Sequence, residues 1–555
     1  MAFQLSPGVN VSEVDLTTVV PSVATTIGGF AGAFNWGPAN EIVSVSSELE
    51  LVERFGKPDL NTSNSFFTAA NFLAYGSELK IVRAVGSGAL NAAANGAGGA
   101  VLVENETDYE INHSANNGAI FWARYPGTLG NSIKVSMADS NVYSGWTYEG
   151  NFDSAPATST WASSRNSTND ELHIIVIDTT GKISGTAGTI LERFGYVSKA
   201  SDAKNSDGTS NYYRDVINTR SKYLRHAGHL STNWGTSSTG GVSYTTMAAN
   251  LTATLAGGAD ALPTAGNIIT AFDKFANADS VDVSLLMAGA TTGTTIPNAL
   301  ISIAEARKDC LVFVSPQFDD VVNNSGSEVA DIGTTVDSFT KSSYAVMDSA
   351  WKYQYDKYND VYRWVPLNGD IAGLCVRTDL ERDPWFSPAG LNRGIIRNVV
   401  KLSWNPTKAN RDTLYKAGVN PVVTFPGEGT ILYGDKTLLN RPSAFDRINV
   451  RRLFIVLEKS IARAARSSLF EFNDEFTRAA FVNLVEPYLR DVQGRRGIYD
   501  FRVVCDTTNN TPEVIDRNEF VGDIYIKPAR SINFIQLNFV AVRTGVAFEE
   551  VVGRF

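Results

Sequence analysis

Residues 281–315 place the strongest single constraint on the fold, because they have the pattern of a strand, a helix and a second strand in succession. The run VDVSLLMAG (281–289) is typical of a buried strand, IPNALISIAEARKD (296–309) of a helix, and CLVFVSP (310–316) of another strand. Such a unit predicts an α/β domain with parallel strands. Enzymes often bind ligands at the carboxyl ends of these strands, here near Gly289–Gly293 and Ser315–Gln317.

No catalytic pattern accompanies this unit. The chain has four histidines, and the only close pair, His226 and His229, lies in a stretch (223–230) that could be helical and has no third metal ligand nearby. We therefore interpret the pair as surface residues. Gly181-Lys182 lacks the earlier glycine and the following Ser or Thr of a phosphate loop. We predict no catalytic residues, no metal site and no cofactor, and keep an α/β enzyme on residues 181–345 as an alternative.

Composition excludes other classes of function. A chain of 555 residues is expected to form two to four domains. A net charge of -10 argues against direct nucleic-acid binding. The apolar runs are too short for membrane insertion, and residues 1–15 lack a secretory signal, so we expect synthesis in a cytoplasm. Cys310, Cys375 and Cys505 form no closely spaced pair and are expected to be small buried apolar residues.

The local patterns predict an α+β multidomain protein. An α/β core domain built from amino- and carboxyl-terminal parts carries inserted α/β and β-rich outer domains. The predicted segments are an extended arm (1–20), a discontinuous domain (21–97 with 345–435), an inserted β-rich outer domain (98–180), an α/β middle domain (181–344), a carboxyl-terminal core domain (436–540) and a second extended arm (541–555).

Individual elements are predicted within these segments. A helix at Glu48–Phe55 ends at Gly56, a strand follows at Leu79–Val85, and Ile133–Met137 and Leu172–Ile177 alternate as strands. Near the carboxyl end we expect a helix over 474–489 and then strands over 499–505, 520–526 and 532–542.

An amphipathic helix with a basic side is predicted at 450–465, where apolar residues recur at spacings of three and four. Its basic residues contrast with the acidic balance of the chain. They are Arg447, Arg451, Arg452, Lys459, Arg463 and Arg466. Two readings stay open, a solvated helix face or a docking surface for an acidic partner.

The two ends of the chain are predicted to be arms with little to fold against alone. Alternating apolar residues mark them, Val9, Val11 and Val14 at one end and Val546, Phe548 and Val551 at the other.

A family resemblance lies in motifs distributed over nearly the whole chain. LSPGVNVSEVD (5–15), GPANEIVSVSSELELVERFGKP (37–58), SSYAVMDSAWKYQYD (342–356), VPLNGDIAGLCVRTD (365–379) and INVRRLFIVLEKSIARAARSSLFEFND (448–474) occur in the order seen in contractile tail-sheath proteins. The chain resembles the sheath proteins of tailed bacteriophages of the myovirus type. Sheaths of bacterial contractile injection systems, such as a tailocin or a type VI-like system, are the nearer alternative.

The resemblance implies a structural subunit that assembles with itself as stacked hexameric rings around an inner tail tube. Baseplate and tail terminator proteins are implied as further partners, and the virion tail as the location after assembly in the host cytoplasm. It implies contraction from a metastable extended state, which drives the tube through the host envelope during genome ejection. On this reading the arms add strands to neighbouring subunits, and the basic helix (447–466) faces the tube.

Overall fold

The computed structural model describes residues 20, 23–94, 99–114, 118–533 and 535–536. The strands of these residues are β1 Gly28–Gly32, β2 Ile42–Val45, β3 Leu79–Arg83, β4 Phe121–Ala123, β5 Ile133–Asp139, β6 Glu171–Asp178, β7 Thr189–Ser198, β8 Leu224–His226, β9 Leu251–Thr254, β10 Leu285–Met287, β11 Leu311–Val314, β12 Ala345–Asp348, β13 Trp351–Asp356, β14 Val361–Pro366, β15 Lys401–Leu402, β16 Val419–Asn420, β17 Val422–Phe425, β18 Gly429–Leu432, β19 Ile498–Val504 and β20 Asp523–Pro528. The helices are α1 Glu48–Phe55, α2 Ser63–Leu73, α3 Glu106–Asp108, α4 Thr160–Ser163, α5 Tyr213–Arg220, α6 Ala265–Phe272, α7 Thr295–Arg307, α8 Phe318–Val321, α9 Glu328–Asp337, α10 Asn368–Glu381, α11 Lys408–Lys416, α12 Ile448–Ala465, α13 Glu475–Gly494 and α14 Pro512–Asp516.

A seven-stranded sheet in the order β16-β12-β11-β10-β1-β3-β2 forms the main domain. Its strands are parallel except β2, which runs antiparallel to β3. The sheet is covered on both faces, as is usual for parallel sheets. Leu285, Leu311 and Phe313 contribute to one core, which also includes residues of α1, α2 and α10. Leu286 and Val312 contribute to a second core, which includes residues of α6, α7 and α9. The predicted strand–helix–strand unit is confirmed as β10-α7-β11.

Glycine at two positions of β1 allows close packing at the centre of this sheet. A Cβ atom at Gly28 would lie 2.6 Å from Phe72 of α2, and one at Gly29 would lie 2.8 Å from Leu286 of β10. Either side chain would therefore force neighbouring groups apart.

A second, β-rich domain is inserted between β3 and α6. Its antiparallel sheet has the order β7-β6-β5-β9, and β4 pairs with β8 beside it. The strands predicted at 133–137 and 172–177 are confirmed as β5 and β6. A fully buried ion pair between Lys199 Nζ and Asp139 Oδ2, at 2.8 Å, lies inside this domain.

The predicted domain boundaries differ from these sheets in two places. The boundary at residue 180 cuts the inserted sheet, because β7 and β9 follow that residue and yet pair with β6 and β5. The segments 21–97 with 345–435 and 181–344 share the seven-stranded sheet, so they belong to one discontinuous domain. Strand pairing over long sequence separations, which local patterns do not contain, explains both differences.

The carboxyl-terminal domain combines α12 and α13 with the antiparallel pair β19-β20 around its own apolar core. The helix predicted at 474–489 is confirmed as α13, which continues past Pro487 to Gly494. The strands predicted at 499–505 and 520–526 correspond to β19 and β20. Most of the third predicted strand (532–542) lies outside the described residues.

Candidate functional site

The carboxyl edge of the central sheet, where an enzyme would bind its ligand, is occupied by the chain's own polar groups. The Asn368 amide donates to the Gly289 carbonyl at 2.9 Å and to Ser315 Oγ at 3.0 Å. Ser315 Oγ in turn donates to Asp348 Oδ2 at 2.6 Å. Because these groups are buried and hydrogen-bond to one another, the edge is a packed junction between β10, β11, β12 and α10.

Burial favours the neutral form of Asp348 at this junction. Its complete burial raises the pKa of the carboxyl to about 8, in spite of the hydrogen bond from Ser315. A raised pKa reduces the buried charge that this carboxyl group brings to the junction.

A buried ion pair lies on the same side of the sheet. Lys352 Nζ is 2.9 Å from Asp370 Oδ1, and both side chains are almost fully buried. Tyr75 Oη donates to the same carboxylate at 3.2 Å. Burial lowers the pKa of Lys352 and raises the pKa of Asp370. The three residues come from β13, α10 and the turn that follows α2, so these contacts fix the relative positions of these elements.

Helix α12 connects the carboxyl-terminal domain to the main domain through buried arginines. Arg452 Nη2 lies 2.5 Å from Asp379 Oδ2 of α10, and both side chains are about 95% buried. Arg451 donates to Ser343 Oγ at 2.7 Å and lies over the rings of Tyr344 and Phe445. Arg447, at the start of the helix, is 3.2 Å from Asp435. These three arginines bind their own chain.

The other basic residues of the helix lie along its carboxyl-terminal half, opposite two aspartates that precede β10. Lys459 forms an ion pair with Asp282, and Arg463 Nη2 is 3.6 Å from the same carboxylate. Arg466 is 3.2 Å from Asp279. The side chains of Arg463 and Arg466 are 45% and 70% exposed, so these two can also contact another molecule.

Sequence patterns located the helix and its basic residues but missed their acidic partners. Asp379 lies 73 residues from Arg452 and Asp282 lies 177 residues from Lys459, and Asp435 precedes Arg447 by 12 residues, so no helical spacing connects these acids to α12. The predicted basic surface therefore reduces to Arg463 and Arg466. That either residue faces a tube stays a prediction.

The interpretation of His226 and His229 as surface residues on a helix is wrong. His226 ends strand β8, which pairs with β4, and it is buried. Tyr213 Oη lies 2.5 Å from His229 Nδ1 and 3.1 Å from His226 Nε2. Burial lowers the pKa of both imidazoles, most strongly that of His226.

The predicted arm residues Val9, Val11, Val14, Val546, Phe548 and Val551 lie outside the described residues. Over the residues that the structure describes, no three His, Cys, Asp or Glu side chains are grouped as metal ligands, and no helix has the length and apolar character needed to cross a membrane. Cys310, Cys375 and Cys505 are free and buried, as predicted.

The described features have the character of a scaffold. The central sheet's ligand edge is closed by internal hydrogen bonds, and the charged residues of α12 join two domains of one chain. Internal contacts of this kind are typical of a multidomain structural protein.

Comparisons with known proteins give the family. Residues 25–84 match the model of the tail sheath protein Gp18 domain III amino-terminal region, residues 261–438 the phage tail sheath central domain, and residues 440–541 the phage tail sheath carboxyl-terminal domain. The tail sheath protein of Enterobacteria phage T4 is 36% identical over 99% of both chains. The chain belongs to the phage tail sheath protein family, and is a structural virion protein and not an enzyme.

Solved structures share the fold at low sequence identity. A sheath tail protein from Listeria innocua is 11% identical over 91% of this chain and 96% of that one, with a TM-score of 0.54. The sheath of an extracellular contractile injection system, the PVC sheath complex in its contracted state, is 13% identical over 97% and 98%, with a TM-score of 0.51. The matched family models leave 85–260 uncovered, which corresponds to the inserted β-rich domain.

Proposed function

We propose that the chain polymerises as stacked hexameric rings around an inner tail tube and contracts from a metastable extended state to drive the tube through the host envelope. The observation that carries this proposal is the 36% identity to a tail sheath protein over 99% of both chains. The proposed partners are further copies of the chain, the tail tube protein, and baseplate and terminator proteins. Synthesis and assembly take place in the host cytoplasm, and the mature sheath forms part of the virion tail.

Assembly through terminal arms is supported by the carboxyl-terminal domain. Within the described residues, β19 and β20 pair only with each other, and this part of the chain adds no third strand to the pair. An arm from a neighbouring subunit can add there through backbone hydrogen bonds. Such bonds survive when whole subunits rotate, which allows the array to change shape without dissociating.

Contraction requires a rigid subunit, and the internal ion pairs support this. Arg452–Asp379 and Lys459–Asp282 join α12 to the main domain, which supports a scheme in which the contacts between copies change and the subunit does not. The energy comes from a lower free energy of the contracted packing, which a kinetic barrier holds back until the baseplate releases it. Nucleotide hydrolysis is not part of this scheme.

Contact with the tube is assigned to Arg463 and Arg466. Exposed charges contribute roughly 0–1 kcal/mol each, which suits a contact that holds the extended state and breaks on triggering. The double variant Arg463→Glu/Arg466→Glu should assemble poorly on tubes, while Arg490→Glu, which reverses an exposed charge on α13, should assemble normally. Equal assembly of both variants would refute this assignment.

Negative-stain electron microscopy of the purified chain tests the proposed function. The intact chain should form striated tubes or rings, and a chain without residues 1–20 and 541–555 should form compact particles. Dispersed particles from both would argue against a self-assembling sheath. The alternative, a sheath of a bacterial contractile injection system, is supported by a shared fold, as in the PVC sheath complex.

A further inference from the structure

Residues 23–27, which lead into β1, are here called the amino root, because the predicted amino-terminal arm joins the subunit through them. Thr25 Oγ1 donates to Asp379 Oδ2 at 2.6 Å, and Arg452 of α12 binds the same oxygen. The other oxygen of Asp379 is buried and has no hydrogen-bond partner in the described part of the chain. The Thr25 hydroxyl and the Arg452 guanidinium therefore carry the hydrogen bonding of this carboxylate.

The amino root also lies against the side of α12. Ala24 and Thr25 line a small cavity whose other walls include Arg452 and Ile455 of that helix. The Ala24 carbonyl accepts a hydrogen bond from Ser284 Oγ at 3.0 Å, immediately before β10. The amino root is thus held between α12 and the central sheet.

Residues 529–533, which follow β20, are here called the carboxyl root, because the predicted carboxyl-terminal arm continues from them. Ser531 Oγ donates to Asp435 Oδ2 at 2.6 Å. Arg447, which immediately precedes α12, lies 3.2 Å from the other oxygen of Asp435. With its amide oxygen facing the guanidinium, Asn533 accepts a hydrogen bond from Arg447 at 2.8 Å. The carboxyl root is therefore bonded to a carboxylate–arginine pair at the start of α12.

Polar contacts hold the carboxyl root to the subunit. Ile532 in the root is 82% exposed, and Ile535 just beyond it is 77% exposed, so these apolar side chains contribute little packing. The hydrogen bonds of Ser531 and Asn533 are directed to the Asp435–Arg447 pair instead. Loss of these two polar side chains should therefore loosen the root without opening an apolar core.

The two roots have anchors of the same construction. In each anchor, a hydroxyl group of the root and an arginine of α12 or its cap bind one carboxylate of the main domain, whose side chain is about 95% buried. Arg447 caps α12, and Arg452 lies in its second turn. At a rise of about 1.5 Å per residue, their Cα atoms are roughly 7.5 Å apart along the helix axis. Both roots are thus tied to neighbouring points of one helix.

We propose that the amino-terminal part of α12 anchors the roots of both arms, so that the two arms leave every copy from points with a fixed separation. This inference rests on the proposed assembly through arms and specifies how one subunit holds them. A fixed root lowers the ordering cost when an arm binds a neighbour. When whole subunits rotate, the links that start from one helix move together, which preserves the connections of the array.

Electron paramagnetic resonance of doubly labelled, unassembled chains tests the two anchors. Spin labels are attached at Ala24→Cys and Ile532→Cys, which are exposed positions of the roots, and the native cysteines are buried and stay unlabelled. We expect a narrow distribution of the distance between the labels. Its width should at least double when Thr25→Val removes the amino anchor, or when Ser531→Ala/Asn533→Ala removes the carboxyl anchor.

Ser387→Ala is the matched control for the carboxyl anchor. Ser387 Oγ donates to the same Asp435 carboxylate at 3.2 Å but lies outside both roots, so the distance distribution should stay narrow in this variant. A broad distribution in the parent chain would overturn the inference, and this measurement does not depend on the folding of any anchor variant. A distribution that stays narrow in both anchor variants would overturn it as well.

Tube formation, seen by negative-stain electron microscopy, separates this inference from the proposed function. Ser531→Ala/Asn533→Ala should raise the concentration needed for tubes at least tenfold, whereas Ser387→Ala should assemble at the wild-type concentration. Tubes of the wild type together with equal assembly of the two variants would overturn the inference and leave the proposed function standing. Absence of tubes from every chain would overturn both.

Discussion

Arg452 of α12 and Asp379 of α10 form an ion pair whose N–O distance is 2.5 Å, at the boundary between the carboxyl-terminal and main domains. Thr25 Oγ1 donates to the same carboxylate oxygen at 2.6 Å, so the chain segment that precedes β1 meets the pair. Three parts of the chain that are far apart in sequence therefore converge on one buried carboxylate.

Removal of the cation should destabilise this junction strongly. Arg452→Ala leaves Asp379 buried without its charged partner, and we expect the free energy of unfolding to fall by about 3–5 kcal/mol. Urea denaturation of unassembled chains gives this value. Arg466→Ala, which breaks an exposed pair with Asp279, should change it by less than about 1 kcal/mol. Equal effects of the two substitutions would show that burial of the Arg452 pair is unimportant.

Arg83 should be irreplaceable at the base of the inserted domain. Its guanidinium donates to the carbonyls of Phe34, Gly37 and Pro126, each at 2.8 Å. Lysine cannot reach all three acceptors, so Arg83→Lys should lower the free energy of unfolding by at least about 2 kcal/mol. Arg54→Lys, at an exposed position, is the control and should have little effect in the same denaturation experiment. A tolerated Arg83→Lys would mean that these hydrogen bonds do not hold the two domains together.

Acidification should destabilise the inserted domain through His226. Burial lowers the pKa of this imidazole well below 6.5, so the folded state keeps it neutral while the unfolded chain takes up a proton. The stabilisation is fully present above about pH 6.5 and is lost as the pH falls, by about 1.4 kcal/mol per pH unit. Thermal unfolding at pH 7.5 and 5.5 should show a smaller decrease for His226→Gln than for the wild type. His229 and His173, whose pKa values are also lowered, account for a residual slope. An unchanged slope would exclude His226 as a source.

Asp348 should give stability the opposite pH dependence to His226, because its contribution is lost as the pH rises. The pKa of its carboxyl is raised to about 8 in the folded state, from 3.8. Its contribution to stability is therefore fully present below about pH 4 and is lost as the pH rises towards 8. Asp348→Asn retains an acceptor for Ser315 and cannot ionise, so its stability relative to wild type should increase between pH 5 and pH 8. Denaturation of both proteins at the two pH values measures this difference. A constant difference would show that Asp348 does not bind a proton on folding.

Local patterns predicted the elements but not their long-range partners. The β10-α7-β11 unit and α1 were predictable because apolar periodicity and Gly56 are encoded within a few residues. The neighbours of β10 in the sheet were not predictable, because the whole inserted domain separates β10 from its partner β1 in the sequence. His226 and His229 have helical spacing, yet pairing of β8 with β4 overrides it.

The candidate site was predictable to a similar extent. The basic residues of α12 are evident in the sequence, but Arg451 and Arg452 are buried by contacts with Ser343 and Asp379 that no local pattern reveals. The exposed and left-handed Phe470 was not predictable, because exposure and backbone conformation are properties of the folded chain.

The axial spacing of rings, measured by cryo-electron microscopy, tests the central claim of a metastable sheath most directly. The chain should be assembled with its tail tube protein and baseplate, imaged, and imaged again after gentle heating. We predict a long axial repeat that converts irreversibly to a shorter, wider one with release of heat. A single axial repeat before and after heating, or one that returns on cooling, would contradict the account.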